Sequence, residues 1–234
     1  NLANINTNSY KSRRAILSEA NAKSSRIFRR NKAGAFYASK GRGVEIHGVS
    51  QINTQGIIYQ TEVQTDLSIN GAGFFQSTTA DGWTIFTRNG SFKRSSEGML
   101  VSSDGYSLKP PLNIPANVDD IAVGRDGTVN VHIKGGNELI NLGQIEIVRF
   151  SNPEGLRSIG NDYYEETAAS GEPIIGVPGQ MGFGEILQGF LESSNVDVVK
   201  EQVNLIIDQR AFQMNASTIK TADEMAKTTI DIKR

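Results

Sequence analysis

Enzymes and metal sites are built mostly from histidine, cysteine, paired carboxylates and glycine-rich loops, and in this 234-residue chain those residues do not converge. His47 and His132 are the only histidines; they lie 85 residues apart and outside H-E-x-x-H or any comparable ligand spacing. There is no cysteine, which removes disulfides, thiolate zinc sites and a cysteine nucleophile together. Asp119 with Asp120 and Glu165 with Glu166 are adjacent acids with no spacing that suits general acid–base work, and read as solvated loop charge. Gly41-x-Gly43 with Gly48, and Gly182-x-Gly184 with Gly189, miss the G-x-G-x-x-G spacing that cradles a dinucleotide. Neither a Walker pattern nor a G-x-S-x-G elbow is present. The residues therefore predict no enzyme, no catalytic residue, no metal and no cofactor.

The elements that would position such groups carry the information instead. From Phe190 to Arg234 the chain runs forty-five residues without Gly or Pro, although the preceding part holds all 24 glycines and all 6 prolines. A stretch so free of breakers predicts one long terminal helix. At about 1.5 Å per residue it would reach on the order of 60 Å. A chain of this length packs to a radius of gyration of roughly 17 Å, so the helix must overhang its own body.

Advancing each residue by about 100° gives two apolar stripes. Val203, Ile207, Ala211, Met214, Thr218, Ala222 and Met225 form one; Val198, Leu205, Phe212, Ala216, Ile219, Ala226 and Ile230 form the other. Gln202, Gln209, Arg210, Gln213, Ser217, Lys220, Glu224 and Lys227 make a polar face, in which Val199 and Ile206 are misfits. A monomer's surface helix needs an apolar arc of about 100°, and this one shows roughly twice that, so two packing partners are expected. The seven-residue spacing of Val198, Leu205, Phe212, Ile219 and Ala226 suits left-handed winding against another helix. Val198, Val203, Leu205, Ile207, Phe212, Met214, Ile219, Ala222, Met225 and Ala226 are accordingly the candidate assembly interface.

Charge is segregated at the other end. Residues 1–43 carry ten Lys or Arg against the single acid Glu19, a net +9, so the remainder sums to −10 within a total of −1. Such a basic arm, with Arg13, Arg14, Arg26, Arg29 and Arg30 as its arginines of interest, fits nucleic acid, an anionic surface, or the acidic body of another copy. Only Phe28, Phe36 and Tyr37 are interleaved with the charges, which disfavours nucleic acid. Mean hydropathy is −0.33 and no apolar run approaches the ~20 residues of a membrane span, so no membrane insertion is expected. No charged-then-apolar secretory signal opens the chain.

Between these ends, Asn70-Gly71, Asp81-Gly82, Asn89-Gly90, Glu97-Gly98 and Asp104-Gly105 recur every 7 to 11 residues. They punctuate strands near Gly73 to Ser77, Trp83 to Thr87, Ser91 to Arg94, Met99 to Ser102 and Tyr106 to Lys109, predicting an antiparallel meander. Asp126-Gly127 adds a turn, followed by strand-like alternation over Thr128 to Lys134 and Gln144 to Arg149. Tyr163, Tyr164 and Gly171 to Gly184 read as returning chain and loop. The predicted fold class is a mainly β body, an antiparallel meander of residues 44–184, with a long C-terminal α-helix within residues 185–234.

Both termini and the centre carry a resemblance. Asn1, Leu2, Ala3, Asn4, Thr7, Tyr10 and Lys11 follow the N-L-A-N-x-x-T-x-G-[FY]-K signature of bacterial flagellar rod and hook proteins, with Ser9 in place of the usual Gly. Gly189 to Val196, Gln209-Arg210-Ala211-Phe212 and Thr221 to Met225 are similar to that family's C-terminal signature. Gly71-Ala72-Gly73-Phe74-Phe75, Thr87-Arg88-Asn89-Gly90-Ser91-Phe92, Ile114-Pro115-Ala116-Asn117 and Leu142-Gly143-Gln144-Ile145 resemble its distal rod members, with proximal rod and hook-type members as alternatives. The resemblance implies a hook/rod-like fold and a structural subunit of the basal-body rod. It would polymerise into a helical tube and pass motor torque to the hook. It implies that residues 1–43 follow an N-terminal helix upstream of Asn1 that pairs with the C-terminal helix. The partners implied are other copies head to tail, other rod proteins, the hook protein and the bushing rings. The location implied is the periplasm-spanning rod, reached without a cleaved secretory signal. A different class, a soluble binding module using its terminal helix for an unrelated partner, is the other reading of the residues.

Overall fold

The computed structural model describes residues 1–19, 43–134 and 139–232. Within them the chain is mostly antiparallel β-structure with a single α-helix at its C-terminal end. In order the strands are β1 Arg13–Glu19, β2 Val44–Gln51, β3 Ile58–Gln60, β4 Leu67–Asn70, β5 Phe74–Thr78, β6 Thr84–Thr87, β7 Phe92–Arg94, β8 Leu100–Ser102 and β9 Ser107–Lys109. There follow β10 Val118–Val123, β11 Thr128–Ile133, β12 Leu139–Gln144, β13 Ile147–Arg149, β14 Arg157–Gly160, β15 Tyr163–Glu165, β16 Ile174–Gly176, β17 Glu185–Gln188 and β18 Phe190–Glu192. Helix α1 spans Val198–Ile232.

Acid–glycine pairs build the hairpins, though by a different turn from two positive-φ residues in a row. At Gly82, Gly98, Gly105 and Gly127 only the glycine is left-handed, with φ between 82° and 86°. Each donates its N–H to the carbonyl three residues back, at 2.9 to 3.0 Å. The residue starting the turn donates in turn to the carbonyl just past the glycine, at 2.8 to 2.9 Å. That is a type I turn closed by a glycine bulge, and it leaves the acid one place before the glycine free of any φ requirement.

Asn89-Gly90 breaks the pattern, and with it the simple meander. Gly90 is outside the left-handed region, and a Cβ there would sit 1.5 Å from the Leu67 carbonyl oxygen. Its carbonyl accepts from Leu67 N–H at 3.0 Å, and Ser91 bridges to Asp66. Residues 88–91 therefore lie on β4 instead of turning β6 into β7. The main sheet runs β14-β15-β6-β5-β9-β8-β7, so β5–β6 and β7–β8–β9 pair as neighbours while β6 and β7 do not. β13 joins β5 and carries β16 on its far side.

The core lies on both faces of this sheet, because adjacent residues of a strand point opposite ways. Phe75 and Ile147 enter one cluster with Leu67, Ile69, Phe92, Leu108, Val129, Ile145 and Ile186, among others. Their neighbours Phe74 and Val148 enter a second with Phe86, Phe150 and Tyr164. Edge-to-face rings join Phe75 to Phe92 at 5.2 Å and Phe86 to Phe150 at 4.9 Å. Tyr163 and Tyr164, expected in returning chain, are β15, buried and paired to β6. Burial pushes the Tyr164 hydroxyl up to about 12 and raises Tyr163 as well.

The ends of the body also differ from expectation. Arg13–Glu19, read as part of an extended arm, is a strand paired with Val44–Gln51. The helix begins at Val198 because Phe190–Glu192, inside the breaker-free run, pairs with β3, and Glu185–Gln188 pairs with β4. Absence of Gly and Pro permits a helix; it does not forbid a strand where a partner edge waits. Asp197 then caps α1, its Oδ1 accepting from Val199 N–H at 2.9 Å and Lys200 N–H at 3.1 Å.

Candidate assembly interface

Helix α1 is 35 residues long, about 52 Å at 1.5 Å per residue. Val198, Val203, Leu205, Ile207, Phe212, Met214, Ile219, Ala222, Met225 and Ala226 all lie on it, and all are exposed. Phe212 is 75% exposed and Ile219 65%, whereas no described phenylalanine of the body is exposed. No described strand covers either stripe. Val199 and Ile206, the misfits of the polar face, are exposed in the same way. The helix is not long and apolar enough to cross a membrane.

The root of that helix is held by a buried ion cluster. Glu192, at the end of β18, is 1% exposed. Its Oε1 accepts from the Lys11 ammonium and from Gly56 N–H at 2.8 Å; its Oε2 accepts from Arg88 Nε at 3.0 Å, with Nη2 at 2.9 Å. Arg88 extends from the end of β6 and also donates through Nη1 to the carbonyls of Gly71 at 2.8 Å and Gly73 at 2.7 Å. Lys11 donates to Thr54 O at 2.8 Å. Burial holds the Lys11 ammonium below the usual lysine range; Glu192 opposes that lowering and the Arg88 charge adds to it. Two cations, one carboxylate and a ring of carbonyls satisfy each other with little of their surface exposed, the condition under which buried charge is tolerated.

The N-terminal motif supplies one wall of this cluster. Asn1, Leu2, Ala3 and Asn4 start a short 3-10 turn over Leu2–Asn4, and Thr7 Oγ donates to Asn4 Oδ1 at 3.4 Å. Tyr10 and Lys11 are buried, and Tyr10 OH reaches Asn1 Oδ1 at 3.3 Å. Asn1 Nδ2 donates to Glu201 Oε1, in the first turn of α1, at 3.0 Å. Ser9, standing where the motif has glycine, adopts φ 59°. A serine in the left-handed region costs of order 1 kcal/mol. Here its N–H donates to Glu192 O at 2.8 Å and its hydroxyl to Arg88 O at 2.9 Å, which hold it there.

The sequence signals Arg88, Glu192 and Lys11 only as letters within motifs, with no role attached. The available clue was a lone charge amid apolar and glycine residues, as in Phe190-Leu191-Glu192. Asn195 was also missed: its side chain accepts from Ser12 N–H at 2.7 Å and donates to the carbonyls of Ile52 at 2.8 Å and Thr54 at 3.0 Å.

Of the basic arm, Arg13 and Arg14 lie exposed on β1, and Arg13 donates to Ser158 Oγ at 2.8 Å. Arg26, Arg29 and Arg30 lie outside the described residues. His47 is on β2 and His132 on β11; Glu165 pairs with Arg157 at the surface. Among the described residues no three acids or histidines come together as metal ligands would.

The β body and the exposed terminal helix each match a known family. The family description "Flagellar hook protein FlgE/F/G D1 domain" matches residues 68–131, which hold Arg88, and "Flagellar basal body rod FlgEFG protein C-terminal" matches residues 187–232, which hold Glu192 and α1. The flagellar basal-body rod protein FlgG of Agrobacterium fabrum is 41% identical over 97% of this chain and 88% of its own length. That of Borreliella burgdorferi is 38% identical over 100% of this chain and 91% of its own. The Salmonella typhimurium flagellar hook protein FlgE is 34% identical over 74% of this chain but only 45% of its own length.

These matches define the class as flagellar rod and hook proteins. Within it, the chain belongs to the flagellar basal-body rod protein FlgG family, and is a structural rod subunit and not an enzyme.

Proposed function

We propose that this chain polymerises head to tail into the helical tube of the rod, with α1 in the inner layer, the β body outside, and motor torque passing along it to the hook. The observation that carries the reading is α1 itself: two apolar stripes, on a capped and anchored helix, left exposed by the described residues. Full cover would stabilise assembly by about 1.5 to 3 kcal/mol for each large apolar side chain. A contact between unlike faces of successive copies repeats without closing, which gives a filament. The partners are other copies of this chain, other rod proteins and the hook protein, with the bushing rings around the tube. The rod would span the periplasm, its subunits exported without a cleaved signal. Arg13 and Arg14 would lie against acidic bodies of adjacent copies, setting register at no more than about 1 kcal/mol per exposed pair.

Leu205→Asp tests the scheme. Filament formation and motility should be lost while the circular dichroism of the β body is unchanged. Normal motility with a full-length rod in that variant would refute the inner-layer role of α1.

A further inference from the structure

Three segments distant in the sequence close a ring of bonds at the foot of α1. Ser9 in the N-terminal segment donates its hydroxyl to Arg88 O and its N–H to Glu192 O. Arg88 in the body donates to the Glu192 carboxylate, and Lys11 adds a second bond from the N-terminal segment to that same group. Each segment is thus bonded to both others. The interlock continues outward, with Ser12 N–H on Asn195 Oδ1 at 2.7 Å, Asn195 N–H on Tyr10 O at 3.2 Å, and Asn1 on Glu201.

Ser9, Lys11, Ser12, Arg88 and Glu192 are buried, so the loss of one partner leaves a buried polar group short of a bond. If residues 9–12 lift away, Glu192 keeps Arg88 but loses an ammonium, and Asn195 loses both its backbone bonds to that segment. If residues 192–195 lift away, Lys11 and Arg88 are left as two facing buried cations.

We infer that Glu192 is a two-ended latch: the N-terminal segment, residues 1–12, and the root of α1, residues 193–200, each tighten the hold on the other, over and above the bonds that each makes to residues 52–57. The β body has its own cohesion in two apolar clusters, with Phe75, Phe92 and Ile147 in one and Phe74, Phe86 and Val148 in the other. The direction in which the exposed helix leaves the body is consequently fixed by a segment nearly two hundred residues earlier in the chain. This stands apart from the assembly reading, since it is a property of the monomer.

Amide hydrogen exchange on the whole chain tests it, using Lys11→Met, which keeps the aliphatic stem and removes the charge, and Lys11→Arg, which keeps the charge. In Lys11→Met the amides of Ser9 and Ser12 and those of Gly56, Ser193 and Asn195 should exchange faster together, by roughly 100-fold, with β5, β6 and β11 keeping their protection. Lys11→Arg should restore protection at both ends. Glu192→Gln, read in the same way, should reproduce the loss at both ends. Acceleration confined to residues 9–12, with Ser193 and Asn195 unchanged, would overturn the latch. So would equal loss of protection throughout the body, or Lys11→Arg behaving like Lys11→Met.

Discussion

The β body and helix α1 face water on opposite terms. The body buries Phe75, Phe86, Phe92 and Ile147 almost completely and fits glycine where backbone meets backbone, as at Gly90 on Leu67. Phe212, Met214 and Ile219 are as apolar as those residues and remain exposed. The difference lies in what each sequence can reach. The body's strands find their partners in one another, whereas a helix of 35 residues extends past the described strands that could lie beside it. Hydrophobic content alone therefore does not locate a core; geometry decides which apolar surface the described body closes.

The contrast can be broken at four points, in falling order of effect. Gly90→Ala puts a methyl into the Leu67 carbonyl, and should cost at least the upper end of the about 1–3 kcal/mol usual for overpacking, seen as a lower midpoint in urea. The next effect is alkaline. Tyr164 ionises near 10.0 when unfolded and near 12 when folded, so the folded state keeps the proton longer. Its contribution is whole below pH 10 and declines between pH 10 and 12 by about 1.4 kcal/mol per pH unit, and Tyr164→Phe should flatten that part of the stability–pH curve. Ser9→Ala keeps the left-handed backbone and loses the bond to Arg88, costing about 1 kcal/mol. Ser9→Gly loses the same bond while relieving φ, and should unfold at higher urea than Ser9→Ala. Smallest of all, Phe212→Asp should change monomer stability by no more than about 0.5 kcal/mol, because Phe212 is 75% exposed. A large loss there would mean that the helix is packed within its own chain after all.

The sequence made local geometry legible and left long-range pairing obscure. Acid–glycine pairs marked the turns at Gly82, Gly98, Gly105 and Gly127, since a bulge of that kind is specified by a few adjacent residues. They could not show that Gly90 serves close approach to a strand some twenty residues earlier. Strands β5 and β13 are buried on both faces, so they lack the alternation that would have separated Phe74 from Phe75 or Ile147 from Val148. The stripes of α1 were readable because a helix repeats its own pattern. Its start was not, because Phe190–Glu192 becomes a strand only by virtue of Ile58–Gln60. Lys11, Arg88 and Glu192 are each unremarkable in their own neighbourhoods; what unites them is a meeting across 181 residues that no window of sequence contains.

The chain's only tryptophan, Trp83, closes the β5–β6 turn with 69% of its surface in solvent. Its emission is therefore already that of a wet indole in the native molecule, and denaturation will scarcely shift the fluorescence maximum. The same placement makes it a clean optical probe for contact from outside: a blue shift on raising the protein concentration would announce that a neighbour has covered this hairpin tip while the body stayed as it was.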